Sequence, residues 1–143
     1  MTGSAALPRL AVGALAGTML FLVLTGGRFP RGRPSLSSGT LARRWLRIGA
    51  GATFEEVLWR AVVLGDLALW TGSAVALAVS SAGFALWHRA SLGRASVVHL
   101  VTGGCFGAVF IACGLAAAVV AHATYNLLVD WAIHVERARA RSP

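Results

Sequence analysis

Apolar residues fall in five long blocks along this chain, at about residues 5–25, 41–70, 73–88, 95–112 and 115–134. Glycine, proline, serine and arginine punctuate them. The first block is about long enough to cross a hydrocarbon core of ~30 Å as a helix. It has the look of a signal peptide, but no A-x-A cleavage site comes after it, and GGRFPRGRP reads as a loop. Six arginines (28, 31, 33, 43, 44 and 47) come next, broken by Pro30 and Pro34. From about Leu41 the pattern becomes that of an amphipathic helix entering the membrane. Thr71-Gly72-Ser73 and Cys113-Gly114 read as tight turns, so neighbouring blocks must alternate in direction. The expectation is an all-α, polytopic transmembrane bundle of about five spans with a polar active-site cavity between helices.

Composition supports the membrane reading. The chain is 57% hydrophobic and 13% charged, against about 25% charge in soluble domains. Its formal net charge of +8 comes entirely from arginine, since lysine is absent. A nucleic-acid binder would need a polar face, and here the basic residues sit in loops between apolar helices, so no nucleic-acid partner is expected. The charge instead orients the protein. Arginines 28–47, Arg89 with Arg94, and Arg137, Arg139 and Arg141 all fall on one side of a five-span chain, and only Arg9 falls on the other. That side is the cytoplasmic one, which also receives the C-terminus. A lysine-free chain rich in Ala, Gly, Val and Arg points to a GC-rich bacterial genome, hence to a multi-pass protein of a bacterial cytoplasmic membrane. Residues 1–40 form an N-terminal span with a basic loop, residues 41–136 the functional core and residues 137–143 a basic tail.

Two spacings concern packing. Gly103 and Gly107 are a GxxxG pair expected to bring two helices close, and Gly13 and Gly17 repeat the spacing in a chain where glycine is common enough for coincidence. Cys105 and Cys113 are ~12 Å apart along a helix, too far for a disulfide.

Against this background the polar residues inside the blocks stand out, because ionisable groups within a membrane are costly. In FEEVLWR, Glu56 and Arg60 are four apart and share a helix face, so they can pair. Glu55 points roughly 100° away and has no local partner, which suits a general base; the bland reading is an ion pair plus one snorkelling glutamate. Phe84 lies one turn before His88 and can pack over its ring. Taken alone, His88 would be interfacial. His122 and Asn126 lie one turn apart on one face of the last block. His99 reads as interfacial or beside the site, and Asp66, Asp130 and His134 as solvated span ends.

EExxxR (Glu55, Glu56, Arg60), FxxxH (Phe84, His88) and HxxxN (His122, Asn126), in order and on separate spans, resemble the motifs of the CPBP intramembrane proteases. That family takes in CAAX prenyl endopeptidases, bacteriocin-processing and immunity proteins, and Abi-type proteins. The likeness covers about residues 48–134, and HLVTGGCFGAVF resembles the family's glycine-marked helix. Relatives commonly carry more helices before the first motif than the one seen here. The resemblance implies an endopeptidase acting on a membrane protein or lipidated peptide in the bilayer. Glu55 would activate water oriented by His88, His122 and Asn126 would receive the oxyanion, and Glu56 and Arg60 would hold the site, with Phe84 in support. A catalytic Zn2+ held by His88 and His122 and a metal-free glutamate mechanism are equally open. Two other classes remain: a non-catalytic immunity or partner-binding membrane protein, and a haem or quinone protein using two histidines.

Overall fold

The apolar blocks become helices in the computed structural model, which describes residues 6–32 and 36–141. Arg33 and Pro34 of the basic loop lie outside the described residues. Helix α1 spans Ala6–Leu24. Helix α2, Ser38–Glu56, opens with Ser37, whose hydroxyl accepts from the Thr40 amide as an N-cap. It runs without a break into a π-helical segment, Val57–Leu64, and then into α3, Gly65–Thr71. Helix α4 is Ser73–Leu92, and a 3-10 turn, Gly93–Ser96, leads to α5, Val97–Cys113, and α6, Leu115–Arg139. Gly72 and Gly114 form the two expected tight turns, both at positive φ, a conformation that costs glycine least. No strand occurs among the described residues.

Helices α1 and α6 are each long and apolar enough to cross a membrane, and α5 is apolar but shorter. The stretch from α2 to α3 carries the arginines and glutamates, and α4 ends with Trp87-His88-Arg89 in its last turns, so polar residues dilute both.

Missing side chains set the closest helix contacts. A Cβ on Gly13 or Gly17 would fall on the carbonyl oxygen of Ala117 or Ala121, so α1 lies directly against α6 and parallel to it. Gly103 packs on Ser81 and Phe84, and Gly107 faces Leu77 and Leu64, which makes α5 antiparallel to α4. Both GxxxG pairs are therefore packing surfaces, including the one that composition alone would have explained. Gly83 leaves room for the Trp59 ring in the same way. The α2–α3 rod packs between α4 and α6. With these directions, the C-terminal ends of α1, α4 and α6 and the N-terminal ends of α2 and α5 gather at one end of the bundle, bringing the described loop and tail arginines together.

At that end the sequence reading needs correction. Asp130 and His134 are not solvated span ends but buried, 8% and 7% exposed. Arg44 reaches across from α2 and binds both oxygens of the Asp130 carboxylate. His134 donates Nδ1–H to the Asp130 carbonyl at 2.8 Å. Trp45 and Trp131 pack beside them. The charge of Asp130 is visible in the sequence, but its partner lies 86 positions away in the chain. Asp66 is exposed, as expected.

Candidate active site

The rod places Glu55 and Glu56 at its change from α to π geometry, and there the two carboxylates part. Glu56 turns inward and is completely buried. One of its oxygens accepts from Arg60 Nε at 3.1 Å and the other from His122 Nδ1 at 2.8 Å. Arg60, equally buried, donates Nη1–H to Ser80 Oγ at 2.9 Å, and Ser80 donates onward to the Trp59 carbonyl at 2.7 Å. The Arg60 guanidinium also lies 5.1 Å from the centre of the Phe84 ring, within cation–π range. An ion pair away from water holds only when its remaining polar groups find partners. Here α4 and α6 supply most of them, although Arg60 Nη2 has none among the described residues.

Glu55 faces two imidazoles. Its Oε2 lies 3.6 Å from His88 Nε2 and 3.8 Å from His122 Nε2. The orientation of both rings depends on their other nitrogen. His88 Nδ1 faces the Phe84 carbonyl at 2.9 Å and must donate to it. His122 Nδ1 faces the Glu56 carboxylate and donates likewise. In the neutral rings each Nε2 is therefore the acceptor, and both point at the same carboxylate oxygen. Separations just beyond hydrogen-bond length are those that a small polar molecule bridges. Glu55 is the most open member of the group, its side chain 26% exposed against 17% for His88 and 4% for His122.

Aromatic rings hold the imidazoles. Phe106 of α5 stacks on His122, centroids 4.6 Å apart and planes within 16°. Phe84 lies 4.6 Å from His88 and meets His122 edge-on at 5.8 Å. His99, peripheral on the sequence reading, stacks on His88 at 4.1 Å and 17°. Its Nδ1 is buried without a hydrogen-bond partner among the described residues. The structure thus brings together Glu55, Glu56, Arg60, Phe84, His88 and His122, and adds His99, Phe106 and Ser80. Asn126 is half-buried one turn beyond His122, and its side chain makes no hydrogen bond among the described residues. Ser80 and Phe106 have no signature in the sequence. Only the facing helices give them a role, whereas His99 is visible as an ionisable residue inside an apolar block.

The donors fit zinc in kind: two imidazole acceptors and a carboxylate, with Glu56 behind His122 in the manner of an outer carboxylate. As placed, however, no group of three His, Cys, Asp or Glu among the described residues is arranged to hold a metal ion.

No curated protein and no solved structure matches the chain. A family of proteins does: type II CAAX prenyl endopeptidase Rce1-like matches residues 38–128, from the first residue of α2 to just past Asn126. That stretch holds every member of the cluster above and takes in most of the chain, so this protein belongs to the Rce1-like family of type II CAAX prenyl endopeptidases, within the CPBP intramembrane proteases.

Proposed function

We propose that this protein is an intramembrane endopeptidase that cleaves a membrane-anchored, CAAX-type peptide with Glu55 as general base. The observation that carries the reading is the convergence of His88 Nε2 and His122 Nε2 on Glu55 Oε2. A water held among these three atoms would lose a proton to Glu55 as its oxygen attacks the scissile carbonyl carbon. The carbonyl π electrons move to oxygen. As the C–N bond breaks, Glu55 returns the proton to the leaving nitrogen. The Asn126 amide lies one turn from His122 on the same helix and would serve the oxyanion. His122 can join it when Nε2 also carries a proton, with Glu56 as counter-charge. Arg60, Ser80 and Phe84 fix Glu56, and through it His122. The donor set would also admit zinc, which would supply Lewis acidity at the same spot.

Five crossings, with the C-terminus cytoplasmic, complete the proposal. The gathering of arginines at one end of the bundle supports them. The site then lies toward that end, where a lipid-anchored peptide arrives from the cytoplasm.

The test uses purified protein in proteoliposomes with a prenylated CAAX-type peptide and its unprenylated counterpart. Cleavage of the prenylated peptide, lost in Glu55→Gln, supports the reading. Full turnover by Glu55→Gln would remove Glu55 as the base. Loss of wild-type activity in a chelator, restored by zinc alone, would move the chemistry to a metal.

A further inference from the structure

A second polar site lies at the arginine-rich end, on the opposite side of α6 from Arg44. It begins with how α1 ends. Gly26 and Gly27 take positive φ, and the Gly27 amide reaches back to the Leu22 carbonyl at 2.7 Å, the hydrogen bond that closes a Schellman-type turn. The chain then folds back along α6. Arg139 fastens it there, donating Nη2–H to the Arg31 carbonyl at 2.6 Å, and Phe29 packs edge-on against Phe21.

Between this loop and α6 is a cavity of about 750 Å3. Arg28, Arg31 and Arg139 line one part of it, and Phe21, Leu24 and Phe29 another. Glu136 is the only acidic residue in its wall among the described residues, which leaves a net positive lining. The cavity thus offers both arginines and apolar side chains. The arginines belong to the loop and helix end. The apolar wall continues from Leu24 onto Val23, 38% and 70% exposed, along a helix apolar enough to lie in lipid. A ligand suited to both must carry an anionic head and an apolar tail lying parallel to α1.

We propose that this cavity is a binding site for one anionic phospholipid of the cytoplasmic leaflet. Its phosphate would lie among Arg28, Arg31 and Arg139 and its acyl chains along Leu24 and Val23. Basic pockets between membrane helices on the cytoplasmic side are suited to such head groups. The lipid would hold α1 on α6, the helix that carries His122. The inference rests on the proposed orientation, which puts this end of the bundle at the cytoplasmic leaflet, and not on Glu55 being catalytic.

The experiment measures lipid binding and thermal unfolding of the full chain in a neutral detergent. Phosphatidylglycerol, phosphatidylcholine and inorganic phosphate are the probes. Phosphatidylglycerol should bind and raise the unfolding temperature, and the other two should not. Arg28→Gln with Arg31→Gln should weaken phosphatidylglycerol binding about tenfold or more, with Arg139 left to fasten the loop. Arg43→Gln with Arg47→Gln removes the same charge outside the cavity and should leave binding within about twofold, if the site and not the overall charge is responsible. Equal weakening by the two double variants would overturn the proposal in favour of diffuse attraction. An equal response to inorganic phosphate would make this a free-anion site, and equal binding of phosphatidylcholine would leave only its apolar wall.

Discussion

Two clusters in this protein each combine a carboxylate, an arginine and a histidine, and they behave differently because of where water can reach. Glu56, Arg60 and His122 are all buried, and hydrogen bonds link them through three elements. Arg44, Asp130 and His134 repeat the composition, but the Arg44 side chain is 43% exposed. Each cluster takes two members from one helical stretch at i, i+4 spacing and the third from another helix. Solvation is the difference. In the first cluster a lost partner leaves a charge that nothing can hydrate. In the second, Arg44 lies at the surface, so its loss lets water reach the otherwise buried Asp130 carboxylate in its place. One arrangement holds a fixed geometry next to chemistry, and the other is a tether near the end of the bundle.

The sharpest way to break the contrast is Arg60→Ala. It strands Glu56 in a dry site, and removal of one partner from a buried pair costs about 3–5 kcal/mol. Thermal unfolding in detergent should show the loss, and peptide cleavage should fall with it. Glu56→Gln combined with Arg60→Met should recover much of the stability and none of the activity. Equal instability of the single and double variants would mean that packing, not charge, holds this region.

Glu55→Gln comes next and should separate chemistry from support. Cleavage should fall by about 10²–10⁴-fold, the usual contribution of a general base, while the unfolding temperature stays at the wild-type value. A coupled loss of stability would place Glu55 with Glu56 in the supporting cluster.

His99 should show a smaller effect. Its stacking on His88 predicts that His99→Phe keeps the ring contact and most of the activity, whereas His99→Ala removes the packing on one face of the His88 ring. The alanine variant should lose about tenfold in kcat with little change in KM, a stacked pair being worth about 0.5–1.5 kcal/mol. Equal losses in both variants would show that the imidazole itself, through Nδ1, takes part.

Arg44→Gln should do least. Asp130 is buried beneath a half-exposed Arg44, so shortening that side chain opens the carboxylate to water, and activity and unfolding temperature should remain close to wild type. A large loss would make the two clusters equivalent after all and the comparison empty.

The sequence spelled out the parts of the site that lie within one helix turn. Glu56 with Arg60 and Phe84 with His88 were legible because i, i+4 neighbours meet on any helix. The helical class and the two glycine turns were legible from apolar periodicity and punctuation. What spacing could not show was anything decided across helices. Ser80 is one serine in an apolar run until Arg60 reaches it, and Phe106 is an ordinary aromatic until His122 lies on it. Asp130 seemed free because its partner is far away in the chain. His99 was visible, but its stacking depends on how the α4–α5 connection closes.

The π-helical segment bears on how the protein could have evolved. Its Gly65 amide bonds to the Arg60 carbonyl, five residues back rather than four. Such a segment holds more residues per turn than an α-helix and acts as an insertion absorbed without a loop. Residues before it set the glutamates toward the imidazoles, and the segment ends at Leu64, which lies against Gly107. Each extra residue turns the downstream half of the rod by about 100° relative to the upstream half. The facing of each half can thus change independently of the other, the upstream half carrying the glutamates and the downstream half packing on α4. An alignment to relatives with a plain α-helix here should need its gap between residues 57 and 64, in the middle of what looks like uninterrupted helix.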